Sequence, residues 1–372
     1  MTSSRMKPLL PFVFALPLLL VGCSQALTVP PPAAEEEGTI TPANPLLRYT
    51  GRFDFSTQAQ TVSFDWPGTT VEAAFEGTSC AVLLTDGNND YNVYVDGQPT
   101  GVLRTTAAES RYEVAKALPE GRHTVRLTRR TESGFGEAVF KGLELDKGRK
   151  LVALPPRPER GLLFIGDSFT TGYGNEGQLG CSFSRETQNI ERTYAALVAQ
   201  ELGAEYEIVA KSGRGVVRNY GEPTVTSPKP MPAYFGQAKA EKEQSVWDFR
   251  RNVPDAVVIN LGTNDFSTQP HPPEQVFAQG YEALIADVRR VYPDVPIFCV
   301  AGPRMGGPAN AYIQAIVQRQ SAKDGGRTHL ALIQDNLVRP QDYGCDSHPG
   351  ITGHRKMADQ LKPVLSSVLG WK

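Results

Sequence analysis

The chain has 372 residues, which is long enough for two domains that each bury a core of their own. Its 38 basic and 40 acidic residues give a formal net charge of -2, so a protein that binds nucleic acid or another polyanion is not expected. The 35 glycines and 29 prolines favour many turns and loops and argue against a helical bundle.

The first 22 residues have the features of a targeting signal. Arg5 and Lys7 form a basic start, and the apolar stretch that follows is too short and too rich in proline to span a bilayer comfortably. This stretch ends in LVGC at residues 20–23, which resembles a bacterial lipobox whose cysteine is acylated and becomes the mature N-terminus. We therefore expect export and a lipid anchor at Cys23, on the outer membrane or cell surface of a bacterium. The alternative is an ordinary secretory signal with an incidental cysteine.

Two further segments precede the region where helices are predicted. Residues 23–45 are rich in proline, alanine and glutamate and have almost no large apolar side chains, which predicts an extended tether. From residue 46 to 148 the pattern changes to short strands separated by turns. Residues 90–95 alternate in polarity and are followed by Asp96-Gly97, a hairpin turn signal. Because no helical pattern interrupts these strands, we expect a β-sandwich (jelly-roll) domain over residues 46–148.

After a linker marked by prolines, strands and helices alternate over residues 160–372. Strands are predicted at 161–165, 206–210, 256–260, 297–301 and 331–333, and helices at 193–202, 274–292, 309–321 and 351–368. Such alternation predicts an α/β domain whose parallel sheet is covered on both faces. In sheets of this kind, functional sites form at the carboxyl ends of the strands.

Four short motifs fall at those strand ends or directly before the last helix. They are Gly166-Asp167-Ser168, Ser212-Gly213-Arg214-Gly215, Gly262-Thr263-Asn264-Asp265 and Asp346-Ser347-His348-Pro349. In this order, from about residue 160 to 370, they resemble the four blocks of the SGNH (GDSL-type) hydrolases. The preceding β-sandwich and the sequence GCDSHP at residues 344–349 narrow the resemblance to carbohydrate esterase family 2.

The resemblance implies a serine esterase. Ser168 would be the nucleophile and His348 the general base, because a hydroxyl needs a neighbouring base to become nucleophilic. The N–H groups of Ser168 and Gly213, with the side-chain amide of Asn264, would form the oxyanion hole. The acid of the family usually stands three residues before the histidine, where this chain has Cys345. Either Asp346 or a backbone carbonyl group would then orient the ring of His348.

No cofactor is expected. The glycines at 172, 174 and 177 match the dinucleotide-binding pattern G-x-G-x-x-G, but the residues after them do not open a helix. The cysteine spacings fit no zinc site, and the serine mechanism does not require a metal.

Cys181 and Cys345 both lie in loops near the motifs, and an exported protein meets an oxidising compartment. We therefore hypothesise a Cys181–Cys345 disulfide that steadies the rim of the active site.

The family resemblance also implies a substrate. Carbohydrate esterases of this family remove O-acetyl groups from xylan and glucomannan, so an acetylated polysaccharide or oligosaccharide is the expected partner. One alternative is an esterase that acts on bacterial envelope glycans or on small acetylated sugars, which a tethered enzyme would meet near the cell. Another is a glycan-binding lipoprotein without catalytic activity. The presence of Ser168, Gly213, Asn264 and His348 argues against that last alternative.

Overall fold

The computed structural model describes Met1, residues 38–56 and residues 60–372. The remainder of the predicted signal peptide, Cys23 and the tether as far as residue 37 lie outside the described residues. By backbone contacts, Glu35–Lys372 form one compact unit, and the description that follows concerns this unit. Among the residues that the structure describes, none of the helices combines the length and apolar character that a membrane span needs.

Twelve antiparallel strands form the predicted β-sandwich. They are β1 (Thr39–Ile40), β2 (Arg48–Thr50), β3 (Asp54–Ser56), β4 (Thr61–Phe64), β5 (Thr70–Gly77), β6 (Cys80–Thr85), β7 (Asp90–Val95), β8 (Gln98–Arg104), β9 (Arg111–Ala115), β10 (Gly121–Arg129), β11 (Ala138–Leu145) and β12 (Leu151–Val152). One sheet has the order β3-β4-β11-β6-β9, with β1 paired to β11. The other has the order β12-β5-β10-β7-β8, with β2 paired to β5. Apolar side chains that alternate along these strands fill the space between the sheets.

The hairpin between β7 and β8 shows why the local sequence folds in this way. Asp96 and Gly97 have φ angles of 51° and 75°. A type I′ turn needs positive φ at both central residues, and an Asp-Gly pair adopts it at low cost. Val95 pairs with Gln98 across this turn, as the hairpin signal predicts.

The sandwich extends beyond the predicted boundaries at both ends. Thr39 and Ile40, predicted as part of the tether, pair with β11, and the side chain of Ile40 is buried. A single apolar residue in a segment rich in proline and acidic residues carries no strand pattern, which is why composition alone placed it in the tether. At the other end, Leu151–Val152 pair with β5, beyond the predicted end at residue 148.

The predicted α/β domain has a five-stranded parallel sheet of order β14-β13-β15-β16-β17. Its strands are β13 (Arg160–Gly166), β14 (Ala204–Ala210), β15 (Ala256–Asn260), β16 (Ile297–Ala301) and β17 (Thr328–Leu332). Its helices are α1 (Ser168–Thr171), α2 (Tyr194–Glu201), α3 (Thr263–Phe266), α4 (Glu274–Val291), α5 (Ala309–Lys323) and α6 (Ile351–Leu369). The predicted fold class, a β-sandwich followed by a three-layer parallel-sheet domain, is confirmed.

Side chains that alternate along the central strands explain the three layers. Leu163 and Ile165 of β13 pack with residues of α4 and α5 on one face of the sheet. Leu162 and Phe164 pack with residues of α2 and α6 on the other face. Because successive side chains of a strand point to opposite faces, a strand that is apolar throughout needs helices on both sides.

The sandwich and the α/β domain share buried contacts. Trp66 of the sandwich is completely buried in the core of the α/β domain, with its ring 6.4 Å from that of Tyr234. Arg52, also completely buried, forms an ion pair of 2.7 Å with Glu207 of β14. The carboxylate of Asp65 accepts hydrogen bonds from backbone N–H groups at residues 240 and 241. These contacts make the two domains one folded body.

Candidate active site

The four motifs meet at the carboxyl end of the parallel sheet. Ser168 is the first residue of α1 and directly follows the turn after β13, while Gly213 lies in the loop after β14. Asn264 lies on α3, after β15, and His348 ends the short turn before α6. Each of these residues therefore lies shortly after a strand of the sheet or shortly before a helix.

Ser168 and His348 are in direct contact. The Oγ atom of Ser168 lies 2.9 Å from Nε2 of His348, and the serine side chain is buried. Burial lowers the pKa of His348 to about 4, although the nearby carbonyl groups of Asp346 and Cys345 favour the protonated ring. At neutral pH the ring is therefore uncharged and can accept the proton of the serine hydroxyl.

The backbone N–H groups of Ser168 and Gly213 are candidate donors for an oxyanion. Within residues 38–56 and 60–372, neither the N–H of Ser168 nor that of Gly213 donates to a protein acceptor. Gly213 has a φ angle of 76°, which a residue with a side chain adopts only at a cost. Free N–H groups of this kind can bind the negatively charged oxygen of a tetrahedral intermediate.

The amide of Asn264 is engaged within the protein. Its Nδ2 atom donates to the carbonyl oxygen of Arg214 at 2.9 Å and to Oδ2 of Asp167 at 3.2 Å. Asp167 is buried next to the nucleophile, and this burial raises its pKa to about 7. Asp167 also accepts a hydrogen bond from the backbone N–H of Phe169, so it caps α1. These hydrogen bonds place the amide of Asn264 next to Asp167, the residue that precedes the nucleophile.

The carboxylate of Asp346 does not bond to His348. Its Oδ2 atom accepts hydrogen bonds from the hydroxyl of Tyr173 at 3.1 Å and from the backbone N–H of Phe183 at 2.9 Å. Asp346 has a φ angle of 48°, in the left-handed region, and this conformation directs its side chain to residues 173 and 183. The Nδ1 atom of His348 makes no hydrogen bond of normal geometry within the described residues. The backbone carbonyl groups of Asp346 and Cys345 favour the protonated ring electrostatically, but within the described residues neither forms a hydrogen bond of normal geometry with Nδ1.

A disulfide joins the loop after α1 to the loop that holds His348. The sulfur atoms of Cys181 and Cys345 are bonded, with the Cα atoms 4.6 Å apart. A side chain at Gly177 would meet both sulfur atoms, and one at Gly174 would meet Cys345. Close packing against the disulfide therefore accounts for two of the glycines that match the dinucleotide pattern.

Several residues of the site were not predicted from the sequence. The ring of Tyr173 stacks on that of Phe183 at 3.9 Å and lies 4.3 Å from the ring of His348. Tyr220 is 64% exposed, and its backbone N–H donates to the carbonyl oxygen of Gly213. In the sequence, these residues are aromatic side chains close to a motif. Aromatic residues in such positions are too common to predict a role in the site.

Two further histidines, His123 and His354, are buried and have partners away from Ser168. His354 is buried and accepts a hydrogen bond from the backbone N–H of Tyr194, while His123 pairs with Asp96 in the sandwich. Among the described residues, no group of three or more histidine, cysteine, aspartate or glutamate side chains is arranged to hold a metal ion.

Two family models match the chain. The model described as "Carbohydrate esterase 2 N-terminal" matches residues 49–155, and the model described as "GDSL-like Lipase/Acylhydrolase family" matches residues 164–356. The first match covers most of the sandwich, and the second covers the four motifs.

Known proteins are similar over most of the chain. An "Acetylxylan esterase / glucomannan deacetylase" of Cellvibrio japonicus is 34% identical over 319 residues, which are 82% of this chain and 85% of that protein. The "Cellulase/esterase CelE" of Acetivibrio thermocellus is 36% identical over 349 residues, but the chain spans only 41% of its length. A solved structure of a family two carbohydrate esterase from Clostridium thermocellum, in complex with cellohexaose, is 35% identical with a TM-score of 0.81. That likeness covers 88% of this chain and 100% of the other.

Proposed function

This chain belongs to carbohydrate esterase family 2 and is a carboxylic ester hydrolase of the GDSL type, and we propose that it removes O-acetyl groups from acetylated xylan or glucomannan. Ser168 acts as the nucleophile and His348 as the general base. The observation that carries this proposal is the 2.9 Å contact between Ser168 Oγ and His348 Nε2, beside the N–H groups of Ser168 and Gly213, which have no acceptor among the described residues.

Acylation transfers the acetyl group to the enzyme. Ser168 Oγ attacks the carbonyl carbon of the acetyl ester as its proton passes to Nε2 of His348. The carbonyl electron pair moves onto oxygen, where the N–H groups of Ser168 and Gly213 stabilise the negative charge. When this pair returns, the bond to the sugar oxygen breaks, and that oxygen takes the proton from His348. The products of this half-reaction are a free sugar hydroxyl and acetyl-Ser168.

Deacylation repeats the same steps with water. His348 accepts one proton from the water as the water oxygen attacks the acetyl carbon. That proton then passes to Ser168 Oγ as acetic acid leaves, and the acid releases its own proton to solvent to become acetate. The amide of Asn264 contributes a third donor in both half-reactions by exchanging its 3.2 Å hydrogen bond to Asp167 for one to the oxyanion. Losing one such donor typically costs about 100- to 1,000-fold in kcat.

Acetate release from polysaccharides tests the substrate. We expect the wild-type protein to release acetate from acetylated xylan, acetylated glucomannan and 4-nitrophenyl acetate, and Ser168→Ala to release none above background. The exposed ring of Tyr220, next to Gly213, offers an apolar surface for a sugar ring and supports a carbohydrate substrate. If only 4-nitrophenyl acetate is cleaved, the serine mechanism is supported but acetylated xylan and glucomannan are not the substrates. That result would favour small acetylated sugars or envelope glycans as substrates.

The site of action is part of the proposal. The lipobox-like sequence at residues 20–23 supports export and acylation of Cys23, which would hold the enzyme at a membrane surface. In a bacterial host that acylates lipoproteins, we expect the wild-type protein in the membrane fraction and Cys23→Ser in the soluble exported fraction or retained as an uncleaved precursor. Equal recovery of soluble mature protein from both would contradict the anchor.

A further inference from the structure

A buried carboxylate of the sandwich contacts the loop that carries Gly213. Glu132 lies just after β10 and is only 6% exposed. Its Oε2 atom accepts a hydrogen bond of 2.9 Å from the backbone N–H of Ser212, and its Oε1 atom accepts one of 2.7 Å from the Ser212 hydroxyl. Both donors of Ser212 are therefore bound by one side chain from the other domain.

The same network reaches the helix of the nucleophile. The hydroxyl of Ser212 lies 3.1 Å from that of Thr171, at the end of α1. Gln188 donates from Nε2 to the carbonyl oxygen of Thr171 at 3.1 Å and accepts from the backbone N–H of Glu132 at 3.1 Å. Glu132 therefore connects the loop of Gly213 to the helix that begins with Ser168.

We infer that Glu132 is a positioning residue for the oxyanion hole. The sandwich would then help to orient the N–H of Gly213, in addition to packing against the α/β domain. This inference rests on the proposed function, in which the N–H of Gly213 binds the oxyanion. Because Ser212 directly precedes Gly213, its two hydrogen bonds to Glu132 restrict the peptide group that carries the Gly213 N–H. A charged acceptor suits this task, since hydrogen bonds to carboxylates are stronger than those to neutral oxygens.

The contacts of Glu132 are not explained well by a role that is limited to joining the two domains. The burial of Trp66, the Arg52–Glu207 ion pair and the backbone contacts of Asp65 hold the interface elsewhere. Glu132 instead directs both carboxylate oxygens at Ser212, the residue that precedes Gly213, and its Oε1 atom also accepts a longer hydrogen bond of 3.5 Å from Nε2 of Gln188. Removing the Glu132 carboxylate should therefore lower kcat strongly and lower the melting temperature only slightly.

Kinetics of Glu132→Ala test this inference. Displacing a catalytic group by about 1 Å can cost about 100-fold, so we expect kcat on 4-nitrophenyl acetate to fall by about that factor. KM should change little, because the N–H of Gly213 acts mainly on the transition state. Glu132→Gln should lose less activity, because its remaining carbonyl oxygen can still accept from one donor of Ser212.

Two further variants separate positioning from stability. Glu207→Gln removes another buried carboxylate of the interface, and breaking its pair with Arg52 should lower the melting temperature while leaving kcat of the folded protein unchanged. Adding Ser212→Ala to Glu132→Ala should cost little more than Glu132→Ala alone, because in Glu132→Ala the hydroxyl of Ser212 has already lost its carboxylate partner.

The outcomes distinguish this inference from the proposed function. Wild-type kcat in Glu132→Ala, with Ser168→Ala inactive, would overturn the inference and leave the serine mechanism intact. Full activity of Ser168→Ala would instead contradict the proposed function itself.

Discussion

Replacing Ser168 or His348 by alanine is expected to lower kcat by about a millionfold, the order found when the serine or histidine of such a pair is removed. Nε2 of His348 lies 2.9 Å from Ser168 Oγ, and in the part of the chain that the structure describes no other base is hydrogen-bonded to this hydroxyl. The double variant should be no slower than either single one, because the two side chains act as a unit. The measurement is kcat on 4-nitrophenyl acetate, with background hydrolysis subtracted and melting temperatures compared.

Asp346→Asn is the matched control for this prediction. Its carboxylate bonds to Tyr173 and Phe183 and not to the ring of His348, so we expect kcat to remain within about tenfold of the wild type. An aspartate that fixes the tautomer of a catalytic histidine costs about 10⁴-fold when changed to asparagine. A loss of that size in Asp346→Asn would show that the carboxylate of Asp346 orients His348, which contradicts the contacts that Asp346 makes in the structure. A modest loss in His348→Ala would contradict the role of His348 as the base.

The architecture could be predicted because it depends on local patterns. The predicted strands at 256–260 and 297–301 match β15 and β16, since a run of apolar residues bounded by turn signals is typical of a buried parallel strand. The contacts between the domains could not be predicted in this way. Trp66 stands at the end of a sandwich strand, and its sequence context does not indicate that it packs into the other domain.

For the candidate site, the motifs predicted which residues meet but not how each side chain is directed. Ser168 and His348 come together because both motifs lie at the same edge of the sheet. The orientation of Asp346 depends on positive φ angles at Asp346 and Ser347, 48° and 61°, and neither follows from the spacing of the motif. Glu132 was missed because its partner Ser212 is distant in the sequence and no local pattern connects them.

Removing the Cys181–Cys345 disulfide is expected to lower the free energy of unfolding by about 5 kcal/mol. The two cysteines are 164 residues apart, and a cross-link that closes so long a loop restricts the unfolded chain strongly. The test is chemical denaturation of a Cys181→Ala, Cys345→Ala double variant beside the wild type. Alanine is preferable to serine at Cys345, because that side chain is completely buried and a hydroxyl there would lack a partner.

The double variant, once folded, should keep most of its activity although its free energy of unfolding is lower. The backbone N–H of Cys345 still donates to the carbonyl oxygen of Gly174, and that of Asp346 to the carbonyl oxygen of Cys181. These hydrogen bonds hold the two loops together without the sulfur atoms, so kcat should remain within about tenfold of the wild type. Reductant provides the control: it should lower the stability of the wild type and leave that of the double variant unchanged. A large loss of kcat with unchanged stability would show that the disulfide acts on His348 directly, which contradicts an effect through the unfolded chain.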